Sequence, residues 1–276
     1  KSFRGAFSRI RELQSFLPDV QNIALTATLT VDQLKTLPGE MGFVDPKIIQ
    51  ETSDRPNIFL DLKSKESRID VVTTYEQIYE PLCLSLKFDD DYPVTLVYMP
   101  LEYIGRAMRY CFKIFDLNED VTIYDPAVKF CAIFSKQDIS VAKEFLRQFK
   151  DENPRLRLIF CTSAIGMGFD SPAITRVIHV VPPRRITDYF QEIGRAGRRG
   201  QASVATLYFN KSDLTLKEMD SKMVAYCTTE GCLREVILSN FGFEKNALSP
   251  VGCLCCCNCA LKCLCANCLA GAIEQL

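Results

Sequence analysis

The sequence predicts an α/β protein: a parallel sheet with helices on both faces, followed by a small helical module rich in cysteine. Two observations carry the sheet. Short apolar runs such as Val94–Met99 and Leu156–Cys161 alternate with amphipathic stretches of helical period, the rhythm of strand–helix–strand crossovers. The runs are continuously apolar, which marks strands covered on both faces.

The elements follow in order. Phe3, Phe7, Ile10, Leu13 and Leu17 recur at spacings of three or four, a helix stopped by Pro18 and Asp19. Ile23–Leu25 reads as a short buried strand, and Thr30 or Asp32 can cap a helix beginning near Val31. Asp54-Arg55-Pro56-Asn57 is a turn into a strand at Ile58–Leu62. The helix expected over Arg68–Leu86 carries Ile69, Val72, Tyr75, Ile78, Tyr79 and Leu82 on one side. Strand Val94–Met99 lies between Pro93 and Pro100. A helix over Leu101–Phe115, a strand at Thr122–Tyr124, a helix over Val141–Phe149 and a strand at Leu156–Cys161 continue the alternation. Strand Val177–Val181, a helix over 187–196, strand Val204–Phe209 and helices over 211–226 and Leu233–Asn240 complete it.

With 276 residues, 47% of them hydrophobic, the chain has ample apolar content for a core. The net charge of −1 removes any global basicity, so nucleic-acid contact must come from local patches. No apolar run approaches the eighteen residues of a membrane span. Lys1 and the Ser2-Phe3-Arg4 opening read as an internal start rather than a signal peptide. Asp89-Asp90-Asp91 reads as a solvated acidic loop, since no supporting metal ligands surround it in the sequence.

Three stretches carry chemistry. Tyr189 to Gly200 reads Tyr-Phe-Gln-Glu-Ile-Gly-Arg-Ala-Gly-Arg-Arg-Gly. On a helix, Gln191, Arg195 and Arg198 share one face, and Gly194 and Gly197 let a ligand or backbone approach them. A run of arginines alone describes a solvated face; the Gln-x-x-x-Arg-x-x-Arg spacing suits planar guanidiniums aimed at a transferring phosphoryl group. Cys161 to Asp170 sits at the carboxyl end of a strand, where open α/β sheets build their sites. There Thr162 and Ser163 can bond a DNA phosphate, Gly166 and Gly168 admit close backbone approach, and Asp170 can orient the arginines. His179, inside an apolar strand, reads as a core residue. Arg184 and Arg185 are either phosphate contacts or solvated charge.

Of fourteen cysteines, ten fall between Cys227 and Cys268, a cluster that points to metal. Cys232, at a helix start, with Cys253, Cys256 and Cys259 spaced by three, supplies four thiolates for a closed tetrahedral zinc site. The register stays open: Cys255 and Cys257 interleave, and Cys263, Cys265 and Cys268 could build a second cluster with Cys259. Cys227 reads as a plain buried cysteine.

The Gln191–Gly200 stretch, with Ile165-Gly-Met-Gly-Phe-Asp-Ser-Pro172 just before it, matches the closing signatures of superfamily 2 helicases, and the pair resembles the RecQ family of DNA helicases. The resemblance extends over nearly the whole chain and is strongest at 158–200. It implies the tail of a first RecA-like domain over 1–51, a second RecA-like domain over 52–210, and a zinc-binding module over 211–276. It implies an ATP-dependent 3′-to-5′ DNA helicase of repair and recombination, in the nucleus or nucleoid. Its cofactors would be ATP with Mg2+ and a structural Zn2+, its partner single-stranded and junction DNA, with no membrane. Arg195 and Arg198 would be arginine fingers ordered by Gln191, with Gly168 and Asp170 beside the nucleotide. Thr162, Ser163, Gly166, Phe3 and Arg4 would meet DNA, and Ala24-Leu-Thr-Ala-Thr28 would relay nucleotide state. The chain departs from the family in having Phe134-Ser-Lys136 where a His-Ala-Gly-like element is usual. It contains no Gly-x-x-x-x-Gly-Lys-Ser/Thr loop and no Asp-Glu-x-His segment, so a binding module working without ATP is the rival reading.

Overall fold

A computed structural model describes residues 12, 16, 20–26, 28–52, 54–66, 70–118, 120–135, 137, 139–163, 171–266 and 268. Among them, the strands are β1 (Ile58–Ser64), β2 (Val94–Tyr98), β3 (Phe130–Ile133), β4 (Leu158–Cys161), β5 (Ile174–His179) and β6 (Ser203–Phe209). They form one sheet in the order β1-β6-β5-β2-β4-β3, and every pairing is parallel. The helices are α1 (Val31–Met41), α2 (Val71–Phe88), α3 (Leu101–Ile114), α4 (Ile139–Gln148), α5 (Ile186–Ile193), α6 (Lys211–Leu214), α7 (Ser221–Thr228), α8 (Leu233–Asn240) and α9 (Cys257–Leu261).

Strand periodicity sorts the core onto two faces. Val97, Leu158, Phe160 and Ile178 pack with Tyr75, Tyr79 and Cys83 of α2 and with Ile104, Ala107 and Cys111 of α3. Their neighbours Leu96, Tyr98, Ile159 and Val177 face the other way, onto Phe145 of α4, Tyr189 and Ile193 of α5, Tyr226 of α7 and Ile237 of α8. Cys255 and Cys256 belong to this second core, which therefore runs continuously across residue 210. The cysteine segment also bonds the outer side of β1: Leu60 N donates to the Cys255 carbonyl at 3.4 Å and Leu62 N to Cys257 Sγ at 3.3 Å.

Local signals explain most boundaries. Thr30 and Gln33 form a reciprocal capping box at the start of α1. Asp70 caps α2 through the amides of Val72 and Thr73.

Four expectations need correction. Thr122–Tyr124 is a turn rather than a strand, because the Arg155 guanidinium gathers the carbonyls of Ile123, Asp125 and Val128. The strand of that region is β3, a four-residue run the sequence reading passed over. Ile23–Leu25 is extended but not buried, with Ile23 75% and Leu25 91% exposed. The helix expected over 211–226 is broken: Glu218 takes a positive φ of 67°, and Asp220 caps a new start at α7.

The helix expected over 187–196 ends instead at Ile193. The helix predicted over 3–17 lies outside the described residues, apart from single positions. Among the described residues, no helix is long and apolar enough to cross a membrane.

Candidate functional site

The site is assembled where α5 runs out. Gly194 closes the helix, and the Arg55 guanidinium takes up the carbonyls this frees. Its Nη1 donates to Gly194 O at 3.1 Å, and its Nη2 to Ala196 O at 3.1 Å and Gly197 O at 2.5 Å. Asn57 Nδ2 adds bonds of 2.8 Å to the carbonyls of Gly197 and Gln201. Gly197 has φ +60°, and a Cβ there would stand 2.3 Å from Asn57 Nδ2. The chain's own Asp54–Asn57 turn thus occupies the space that the glycine opens.

This geometry separates the residues expected on one helical face. Gln191 is exposed on α5, Arg195 is 9% exposed, and Arg198 stands in solvent beyond the helix. They meet again at a cavity of about 700 Å³, whose lining includes Thr26, Thr28, Arg55, Gln191, Arg195 and Arg198. Gln191 Nε2 donates to Thr28 Oγ1 at 2.5 Å, joining the Thr26–Thr28 segment to α5 across the cavity wall. Burial first, and then the charge of Arg198, lower the pKa of Arg55. Two guanidiniums held this close suit a multiply charged anion.

Behind Arg195 lies a polar cluster inside the core. His179 Nε2 and Glu192 Oε2 are 2.8 Å apart, both buried. The Tyr98 ring stacks on His179 at 4.6 Å. Burial holds the Tyr98 phenol well above its ordinary value, Cys161 adds to that rise, and Arg195 opposes it. His179 is therefore a core residue, as its apolar strand suggests. Glu192 escaped the sequence reading; the available signal was a carboxylate three residues after Tyr189 on the buried stripe of α5.

A second buried pair escaped it too. Arg234 of α8 pairs with Asp54 and also donates to the carbonyls of Arg55, at 3.0 Å, and Ile58. Ser249 Oγ donates to the other Asp54 oxygen at 2.8 Å. The turn that holds the arginine loop is thereby latched to the cysteine-rich end of the chain.

Of the residues expected near nucleic acid, Thr162 and Ser163 follow β4, half-buried and exposed respectively, and Thr162 N bonds to Ile133 O at 3.2 Å. Phe3, Arg4, Gly166, Gly168 and Asp170 lie outside the described residues.

The cysteines form two quartets, each with its four sulfurs within 4.8 Å of one another: Cys232, Cys255, Cys256, Cys259, and Cys253, Cys263, Cys265, Cys268. The expected set of Cys232, Cys253, Cys256 and Cys259 is thus not brought together. The short 3-10 turn Gly252–Leu254 sends Cys253 to the second quartet and leaves its place to Cys255. The Lys245 ammonium lies 3.9 Å from Cys232 Sγ and 3.0 Å from Glu235. Either donor set can hold a metal ion.

Comparison with known proteins defines the class. Residues 94–200 match the helicase conserved C-terminal domain. The chain is 30% identical over 292 aligned residues to the mouse (Mus musculus) bifunctional 3′-5′ exonuclease/ATP-dependent helicase WRN, covering 96% of this chain and 19% of that protein. It is 39% identical over 124 residues to the ATP-dependent DNA helicase RecQ of Bacillus subtilis, covering 39% of this chain and 20% of that protein. Among solved structures, S. cerevisiae Dbp5 bound to RNA and ADP BeF3 shares the fold, with a TM-score of 0.57 at 14% identity over 82% of this chain and 54% of that one. The sheet and the arginine loop are those of a RecA-like helicase C-terminal domain. In sequence the chain is similar to RecQ-like helicases, and it spans about a fifth of the length of these two curated relatives.

Proposed function

We propose that this chain is the second motor half, with its attached cysteine module, of an ATP-dependent 3′-to-5′ DNA helicase acting in repair and recombination, in the nucleus or nucleoid. The observation that carries the reading is the Gln191–Thr28 hydrogen bond at 2.5 Å. It joins the two helicase-like signatures at a cavity whose lining includes Arg55, Arg195, Arg198 and Arg234.

Arg198, exposed and on the cavity lining, is the group that would reach a γ-phosphate on a facing motor half. Arg195, sunk beside Tyr98 and Glu192, sets the loop and adds positive potential. Gln191, bonded to Thr28, couples arginine position to the residue 26–28 segment. The phosphate loop and magnesium ligands that ATP hydrolysis needs belong, on this reading, to a first motor half of which residues 1–51 are the end. Residues 52–210 are the second half and 211–276 the module. DNA would run over Thr162 and Ser163, and the family resemblance adds Gly166, Phe3 and Arg4 to its contacts.

Zinc fits the first quartet. A tetrahedral ion with Zn–S near 2.3 Å needs sulfurs about 3.8 Å apart, and Cys232 and Cys255 stand 3.5 Å apart. Bound there, the ion supplies folding energy, and no chemistry is asked of it.

The test is Arg198→Ala in the full-length protein. DNA-stimulated ATP hydrolysis should fall roughly 10³-fold, the scale of a lost arginine finger, with single-stranded DNA affinity unchanged. Turnover within a few-fold of wild type would remove the assignment and leave a binding module.

A further inference from the structure

We infer that Cys253, Cys263, Cys265 and Cys268 form a second metal site, separate from the Cys232 quartet and built for one zinc ion. Four thiol sulfurs converge within 4.8 Å of one another, and Cys253 Sγ and Cys265 Sγ stand 3.7 Å apart. A ZnS4 tetrahedron has edges of about 3.8 Å. All-sulfur tetrahedral sites select borderline-soft ions such as zinc over magnesium or calcium.

The backbone is shaped for this convergence. Gly252 opens the turn that carries Cys253, with φ +56°, and a Cβ on it would lie 2.9 Å from Cys263 Sγ. Only a residue without a side chain lets the Cys263 thiol through. At the other end of α9, Cys263 N bonds to Ala260 O at 3.1 Å and turns the chain back toward Cys253. The two ligand sets therefore interleave along the sequence. Cys253 goes to one ion, Cys255, Cys256 and Cys259 to the other, and Cys263, Cys265 and Cys268 return to the first.

A different argument comes from what else holds this segment. Leu254, Leu261 and Leu264 are 72%, 88% and 79% exposed, so the stretch around the second quartet buries little apolar surface of its own. Segments that cannot build a core are held by cross-links, and here the available cross-link is a metal. Cys265 is exposed and its three partners are intermediate in burial, which leaves an ion a path in. Binding exchanges thiol protons for the ion, four thiolates replacing four thiols as protons leave to solvent.

The experiment counts zinc on the complete 276-residue chain by native mass spectrometry. Two ions per chain are expected for the wild type and one for the double variant Cys265→Ser/Cys268→Ser. With cobalt(II) in place of zinc, the thiolate-to-metal absorption should halve in that variant. Because a variant can fail to fold, the wild type is also alkylated with iodoacetamide and mapped by peptide. Cys265 and Cys268 should be protected with zinc present and react once a chelator removes it. One zinc in the wild type, two in the variant, or free reaction of Cys265 and Cys268 in zinc-loaded protein would overturn the site. So would an intact mass short by two hydrogens per disulfide among these four residues.

Discussion

Arg55 Nη1 donates to the Gly194 carbonyl at 3.1 Å, from a turn that lies 139 residues earlier in the chain. The bond sits where α5 ends, so the direction in which Arg198 leaves the helix is fixed by a residue remote in sequence. A lysine at 55 brings one ammonium in place of a planar fork and cannot serve three carbonyls in this arrangement. Arg55→Lys in the full-length protein should lower ATP hydrolysis roughly 10²-fold, the cost of a small misplacement of a reacting group. Steady-state hydrolysis with saturating DNA reads this, and an unchanged rate would show that the loop holds its course without Arg55.

Gly197→Ala attacks the same loop from within. The left-handed backbone costs a non-glycine residue about 1–3 kcal/mol, and the new Cβ meets Asn57 Nδ2 at 2.3 Å and Ser203 Oγ at 2.6 Å. Urea unfolding should show a loss of at least that size, and hydrolysis should fall with it. A variant as stable as the wild type would refute the close packing at this turn.

Arg234→Ala would leave Asp54 buried without its cation and strip the Arg55 and Ile58 carbonyls of a donor. Breaking a buried ion pair from one side costs about 3–5 kcal/mol, and chemical denaturation of the 276-residue chain measures it. The double variant Arg234→Ala/Asp54→Ala should lose less than the sum of the two single changes. Strict additivity would mean that the pair does not act as a unit.

Acid should reveal one partly buried pair. The Arg147 guanidinium, bonded to Glu144 at 2.7 Å, draws the Glu144 carboxyl down to about 2, against the opposing effect of burial, with Gln148 helping. A carboxylate whose pKa is depressed in the folded state stabilises above its unfolded value of 4.5 and loses that contribution as pH falls toward about 2. The stability gap between wild type and Arg147→Met should therefore be widest at neutral pH and close across that window. Denaturation midpoints at stepped pH read it; a gap independent of pH would contradict the pairing.

Strong periodic segments were legible in the sequence. Helix Leu233–Asn240 lies where its apolar spacing places it, and the capping threonine at 30 behaves as its type suggests. Tertiary decisions were not legible. The β-branched and aromatic triplet Thr122–Tyr124 has higher strand propensity than its surroundings suggest, yet Arg155 converts it to a turn, and Phe130–Ile133 takes the sheet position. Gln191, Arg195 and Arg198 were found by spacing and do line one cavity. They reach it because α5 stops at Ile193, which the Arg55 contacts explain and helical spacing alone cannot. Spacing by three picks Cys253 to stand with Cys256 and Cys259, and the 3-10 turn puts Cys255 in that place instead.

The bonds from Leu60 and Leu62 to the cysteine segment have a consequence for solution behaviour. They occupy backbone donors on the outer side of β1, the border strand of the sheet. If residues 255–257 peel away, that border becomes an open template for pairing with another chain. Stripping metal from the protein should then be seen first as self-association, with turbidity that depends on protein concentration, and only afterwards as loss of helix.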